Sequence, residues 1–142
     1  MAHKPNTRVL EGKRVFLVED DVLNLAVINR ILANNGAWVF QNYNSIGIVI
    51  HIIQNLPIDI ILLDLMLRQG INGNNVVREL KKNPQTSHIP VVAVSSMDPE
   101  LAIPEARTSG FDGFISKPIH AATFSMDIAS ILNGAEIWKT SH

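Results

Sequence analysis

Four polar groups follow short apolar runs in this chain. Glu19-Asp20-Asp21 follows Val15-Phe16-Leu17-Val18, and Asp64 follows Ile58-Asp59-Ile60-Ile61-Leu62-Leu63. Ser95-Ser96 follows Val91-Val92-Ala93-Val94, and Lys117-Pro118 follows Phe114-Ile115-Ser116. Carboxylates brought close together raise one another's pKa. A hard divalent cation relieves that repulsion, and Mg²⁺ takes carboxylates, waters and phosphoryl oxygens as ligands. Asp64 stands alone between Leu63 and Leu65, which suits a positioned nucleophile. A carboxylate attacking phosphorus gives an aspartyl phosphate, and charge on the equatorial oxygens must then be neutralised. Lys117 is suited to that as a compact charge with three donors. Ser95 offers a hydroxyl beside it.

For these groups to meet, the runs before them must be strands of one parallel sheet. The order of elements supports this. A strand at Arg14–Val18 is followed by a helix capped by Asp20 or Asp21, in which Val22, Leu25, Ile28 and Leu32 recur at helical spacing. Gly36 stops that helix, and a second strand is expected at Trp38–Asn42. Residues 45–54 favour a strand by propensity. Their place between two strands demands a crossover, so a helix is expected. Strands follow at Ile58–Leu63, Val91–Val94 and Gly113–Ser116, with helices at Gly73–Lys82, from Asp98-Pro99 to Gly110, and over 120–133. Phe124, Ile128, Ile131 and Leu132 form the buried side of the last helix. Pro104 is expected to break or restart its helix. Strands alternating with helices imply a parallel sheet covered on both faces, and ligands bind such sheets outside the carboxyl ends of the strands. All four polar groups fall at that edge.

Each group alone has a common structural use as a helix cap, a turn or a local hydrogen-bonding residue. Together, in this order, they are specific, and the chain resembles the receiver domain of bacterial two-component response regulators over about residues 13–133. The family's acidic pair matches Glu19-Asp20. Its phosphoacceptor motif matches Ile61-Leu62-Leu63-Asp64-Leu65-Met66. Its switch hydroxyl matches Ser95 and its Lys-Pro matches Lys117-Pro118, a peptide bond typically cis in the family.

The resemblance implies a flavodoxin-like (βα)5 fold with a doubly wound five-stranded parallel sheet in the order 2-1-3-4-5. It implies a receiver domain over 13–134 between an N-terminal tail, 1–12, and a C-terminal tail, 135–142. Asp64 would accept a phosphoryl group from a phosphohistidine on a sensor histidine kinase or histidine phosphotransfer protein. Asp20, Asp64 and the Met66 carbonyl would hold Mg²⁺ (or Mn²⁺), with Glu19 acting directly or through a water. Ser95 and Lys117 would hold the phosphoryl oxygens. Phe114, at the aromatic switch position, would turn inward, and the face made by helix four, strand five and helix five would change its affinity for an output partner. Such a protein labels and unlabels itself on Asp64 and turns over no external substrate. It is expected as a monomer or weak homodimer.

Three departures stand out. The loop Leu67-Arg68-Gln69-Gly70-Ile71-Asn72-Gly73 lacks the family's proline four residues after the aspartate and carries Asn for Asp before the glycine. Phe114 replaces the commoner tyrosine. Pro104 predicts a short or displaced helix four. Met66 and Met97 lie where residue choice tunes access of hydrolytic water.

Composition narrows the alternatives. Twelve basic against thirteen acidic residues give a formal charge of -1, which leaves no electrostatic footprint for nucleic acid or an anionic membrane. There is no cysteine, which excludes disulfides and thiolate metal sites. No apolar run reaches spanning length, and the N-terminus has no signal-peptide core, so a cytoplasmic protein is expected. No Gly-x-Gly-x-x-Gly follows the first strand, which argues against a dinucleotide enzyme. The histidines are unpaired in spacing and read as surface or tail residues. Trp138 is expected to pack back on the body. No room for an effector remains after 134, so a stand-alone or excised receiver is expected. The alternatives are a phosphate-independent interaction module and, in a different class, a metal-dependent phosphotransfer enzyme, for which no separate acid or base is found.

Overall fold

In the computed structural model, residues 8–139 are described. Five strands form β1 (Arg14–Val18), β2 (Trp38–Asn42), β3 (Ile60–Leu63), β4 (Val91–Ser95) and β5 (Gly113–Ser116). Helices α1 (Val22–Asn34), α2 (Ile48–Gln54), α3 (Gly73–Lys82), α4 (Pro99–Ser109) and α5 (Ala121–Leu132) alternate with them. A further strand, β6 (Ile137–Lys139), follows α5. All neighbours pair in parallel, in the order β2-β1-β3-β4-β5-β6.

The two-residue period of the strands divides the core. Phe16, Val18, Ile61, Leu63, Val91 and Ala93 face one side with Ile48, Ile52, Val77, Leu80, Ala102 and Ala106 of α2, α3 and α4. Val15, Leu17, Ile60, Leu62, Val92 and Val94 face the other with Ile28, Leu32, Phe124 and Ile128 of α1 and α5. Strands buried on both faces read as continuous apolar runs, which is why β3 and β4 are uninterrupted.

Several expectations are corrected. The sheet has six strands rather than five, because Ile137–Lys139 lies along β5 with Phe114 opposite Trp138. The expected C-terminal tail therefore contributes backbone pairing that hydrophobic periodicity over three residues could not announce. Trp138 packs on the core, and the Arg107 guanidinium sits 4.3 Å from its ring centre. At the other end, Leu10 is fully buried and its N–H bonds the Asn35 carbonyl, so the expected loose segment ends before residue 10. Residues 1–7 of that tail, and residues 140–142 of the expected C-terminal tail, lie outside the described residues.

Pro104 does not break α4, which runs through it for 11 residues. An interior proline removes a backbone donor and crowds the preceding turn. Here Asp98 caps the start by accepting the Glu100 N–H, Gly110 closes the end in the left-handed region, and Ala102 and Ala106 pack on the sheet. Residues 45–54 are helical only from Ile48, after a turn in which Ser45 and Gly47 both have positive φ. Ile48 and Ile52, one turn apart, are the buried contacts that override strand propensity. His51 is half-buried and not a surface residue. Its ring meets Phe16 edge-on at 5.0 Å, and Nδ1 lies 3.2 Å from Asn42 Nδ2.

Candidate functional site

The parallel register carries the ends of β1, β3, β4 and β5 to one edge. Val18 pairs with Leu63, Leu63 with Ala93, and Ser95 with Ser116. Glu19, Asp64, Ser95 and Lys117 therefore emerge side by side. The Lys117-Pro118 bond is cis, as the motif implies.

Lys117 joins two of the acids. Its Nζ donates to Glu19 Oε1 at 2.5 Å and to Asp64 Oδ2 at 2.9 Å. All three side chains are largely buried, at 11% exposure for Lys117, 2% for Glu19 and 11% for Asp64. Burial pushes the Glu19 pKa up, and the Lys117 hydrogen bond and charge only partly offset that rise. Burial also opposes a charged Lys117. Its bonds to Glu19 and Asp64 and their charges outweigh burial, so its pKa is raised. The pair of acids is thus held by one shared ammonium.

Asp64 Oδ1 accepts the Met66 N–H at 3.2 Å. Each Asp64 oxygen carries one donor and keeps a second lone pair. Ser95 is 1% exposed, and its Oγ accepts the Met97 N–H at 3.2 Å. That leaves the Ser95 proton to donate. Met66, two residues after Asp64, is 66% exposed. Phe114 is fully buried in the core that also takes Trp138.

Asp20 is held apart from the Lys117 group. Its Oδ2 accepts the Arg68 N–H at 2.5 Å and the Ser45 hydroxyl at 3.2 Å, and its carbonyl accepts the Arg68 guanidinium at 2.9 Å. Asp21, beside it, caps α1 by accepting the Asn24 N–H. Sequence reading placed neither Arg68 nor Ser45 in the site. Arg68 carried a signal, since it stands where the resembled family has a proline in the loop after Asp64. Ser45 carried none. It arrives because Asn42 accepts its N–H and donates to the Ile46 carbonyl, which folds the β2–α2 turn under Asp20.

The oxygens of Glu19, Asp20 and Asp64 and the Met66 carbonyl are hard donors of the kind Mg²⁺ takes. Among the described residues no three acidic or imidazole side chains stand together as a ready-made metal cluster. Lys117 draws Glu19 and Asp64 to itself while Arg68 and Ser45 hold Asp20.

A family model described as "Response regulator receiver domain" matches residues 15–129. The polar-differentiation response regulator DivK of Brucella anthropi is 30% identical over 123 residues, which span 87% of this chain and 98% of DivK. Protein PilH of Pseudomonas aeruginosa is 28% identical over 121 residues, 85% of this chain and 98% of PilH. Among solved structures, the receiver domain of sensor histidine kinase PA1611 from Pseudomonas aeruginosa PAO1 superposes with a TM-score of 0.77 at 22% identity, covering 87% of this chain and 99% of that one. That structure carries a magnesium ion in its active-site cleft.

Proposed function

The chain belongs to the response regulator receiver domain family, and from that premise we propose that it accepts a phosphoryl group on Asp64 from a phosphohistidine donor. It is a signalling protein and not an enzyme that turns over an external substrate. The observation that carries the reading is the Lys117 ammonium 2.9 Å from Asp64 Oδ2, within a buried group that also holds Glu19.

An Asp64 oxygen attacks phosphorus, the P–N bond to the donor imidazole breaks, and the imidazole nitrogen keeps the electron pair and takes a proton. The product is an acyl phosphate. Lys117 then follows the new charge onto a phosphoryl oxygen, and Ser95 donates its free proton to another. Apolar neighbours and low exposure strengthen these contacts.

The donor set fits Mg²⁺, because it is all oxygen and holds more acid than Lys117 alone neutralises. Glu19, Asp20, Asp64 and the Met66 carbonyl would hold the ion, with Mn²⁺ as a possible replacement. When bound it supplies charge neutralisation for the phosphoryl oxygens.

A protein donor must reach this edge. Val22 and Leu23 open α1 directly after the acidic triplet and are 70% and 78% exposed, with Val27 52% exposed one turn on. This apolar strip at the start of α1, directly after Glu19-Asp20-Asp21, suits a histidine kinase or phosphotransfer protein. The output partner then reads the face of α4, β5 and α5, on which β6 covers the β5 edge and the buried Phe114 stands opposite Trp138.

The test is intact mass after incubation with acetyl phosphate, with and without Mg²⁺. A Mg²⁺-dependent gain of one phosphoryl group, lost in Asp64→Asn, is expected. Full labelling of Asp64→Asn would overturn the site. The second reading is a phosphate-independent interaction module, which the tie between Asp20 and Arg68 favours. It predicts no labelling of the well-folded protein by either acetyl phosphate or a phosphorylated histidine donor.

A further inference from the structure

We propose that Arg68 is a positioning residue that competes with the divalent cation for Asp20 and so sets how much Mg²⁺ the site requires. The proposal rests on the Mg²⁺ reading above.

Both lone pairs of Asp20 Oδ2 are taken, one by the Arg68 N–H at 2.5 Å and one by Ser45 Oγ at 3.2 Å. The Arg68 guanidinium adds a bond to the Asp20 carbonyl at 2.9 Å. A cation that binds Asp20 through this oxygen must displace one of these donors. Arg68 is the one that can leave, because it is exposed while Ser45 is buried at 4%.

The loop is built to deliver that residue. Leu67 is 7% exposed and extended, and its N–H bonds the Ile71 carbonyl at 3.0 Å. Met66 bridges Asn72 across the same loop, and Gln69 turns back with φ of 62°. Arg68 is thereby aimed at Asp20, 48 residues away in sequence. A proline at this position would have no N–H to give and no charge. The bond to the Asp20 carboxylate therefore exists because residue 68 is not proline, and the arginine side chain adds the bond to the Asp20 carbonyl.

The charge balance points the same way. Glu19, Asp20, Asp21 and Asp64 lie along this edge, and Lys117 engages only Glu19 and Asp64. The Arg68 guanidinium, bonded to the Asp20 carbonyl, brings a positive charge to the Asp20 end of that edge. Release of Arg68 also frees the loop that carries Met66, whose N–H is on Asp64 Oδ1. Cation binding and loop position are thus linked, and linkage works in both directions.

Isothermal titration with MgCl₂ on wild type, Arg68→Ala and Arg68→Pro tests this, with thermal unfolding of each protein with and without Mg²⁺. Leu67 is already extended, as a residue before proline must be. Arg68→Pro should bind Mg²⁺ roughly tenfold more tightly than wild type, in keeping with the loss of a hydrogen bond to a charged group, and Arg68→Ala by less. Both variants should melt lower than wild type in EDTA and equal to it at saturating Mg²⁺. A purely structural loop contact would lower both melting points alike, and that result would overturn the proposal. Equal affinities in all three proteins would overturn it while leaving the metal reading intact. No binding by any of them, Arg68→Pro included, would overturn the metal reading and the proposal together.

Discussion

Gly73, the first residue of α3, lies against the backbone of Asp64: a β-carbon at 73 would overlap the Asp64 carbonyl oxygen and stand 2.9 Å from Leu65 Cα. The Gly73 N–H bonds the Leu65 carbonyl at 2.8 Å, and Asn72 caps the helix by accepting the Asn74 N–H. The start of α3 is therefore pressed against the strand end that presents Asp64. Asn72, which stands where the family has aspartate, still performs the capping.

Gly73→Ala should cost about 1–3 kcal/mol, the usual range for overpacking against atoms that cannot move aside. Urea unfolding measures it. The same variant should accept phosphate from acetyl phosphate more slowly, because the displaced backbone is that of Asp64 itself. An unchanged midpoint would show that the helix start yields freely.

Lys117→Ala should destabilise the protein by roughly 3 kcal/mol, since it leaves two acids buried without their shared cation. Glu19 is 2% exposed and cannot turn to water. Adding Glu19→Gln to Lys117→Ala should recover part of the loss, because residues in one buried network are not additive. Denaturant midpoints of the two single variants and the double variant check this, and strict additivity would contradict it.

Leu23→Asp separates the two donors. Leu23 is 78% exposed and makes no part of the core, so stability and labelling by acetyl phosphate should hold. Transfer from a phosphorylated histidine protein should fall, because a charge now sits on the apolar strip beside the acidic edge. Equal loss with both donors would place Leu23 in folding instead of docking.

Trp138→Ala should lower stability by about 1 kcal/mol or more, through lost packing and the lost cation–π contact with Arg107. A double-variant cycle with Arg107→Ala should give a coupling near 0.5–1 kcal/mol. Zero coupling would mean that the two side chains only pass near one another.

Met66→Asn should shorten the lifetime of the phosphorylated form. Met66 is 66% exposed and flanks Asp64, so its apolar side chain obstructs a water approaching the phosphoryl group. Loss of label over time after removal of acetyl phosphate measures this, and an unchanged lifetime would remove Met66 from the account.

The order of apolar runs and polar ends alone reveals the parallel sheet, both helical layers and the edge at which Glu19, Asp64, Ser95 and Lys117 meet. It could do so because each strand is buried on both faces, so an apolar run ending in a polar residue marks both the strand and its exit. Phe16, Ile61 and Val92 needed no partner to be recognised. The rest follows from long-range contacts that outweigh local preference. The helix expected over 45–54 starts only at Ile48, where Ile48 and Ile52 meet the core. Pro104 stayed inside α4 because two alanines hold that helix to the sheet. Ile137–Lys139 became a strand because the open edge of β5 offered unpaired backbone groups. The tie from Arg68 and Ser45 to Asp20 joins three loops remote in sequence. No spacing encodes such a contact, since only closure of the sheet brings those loops to one place.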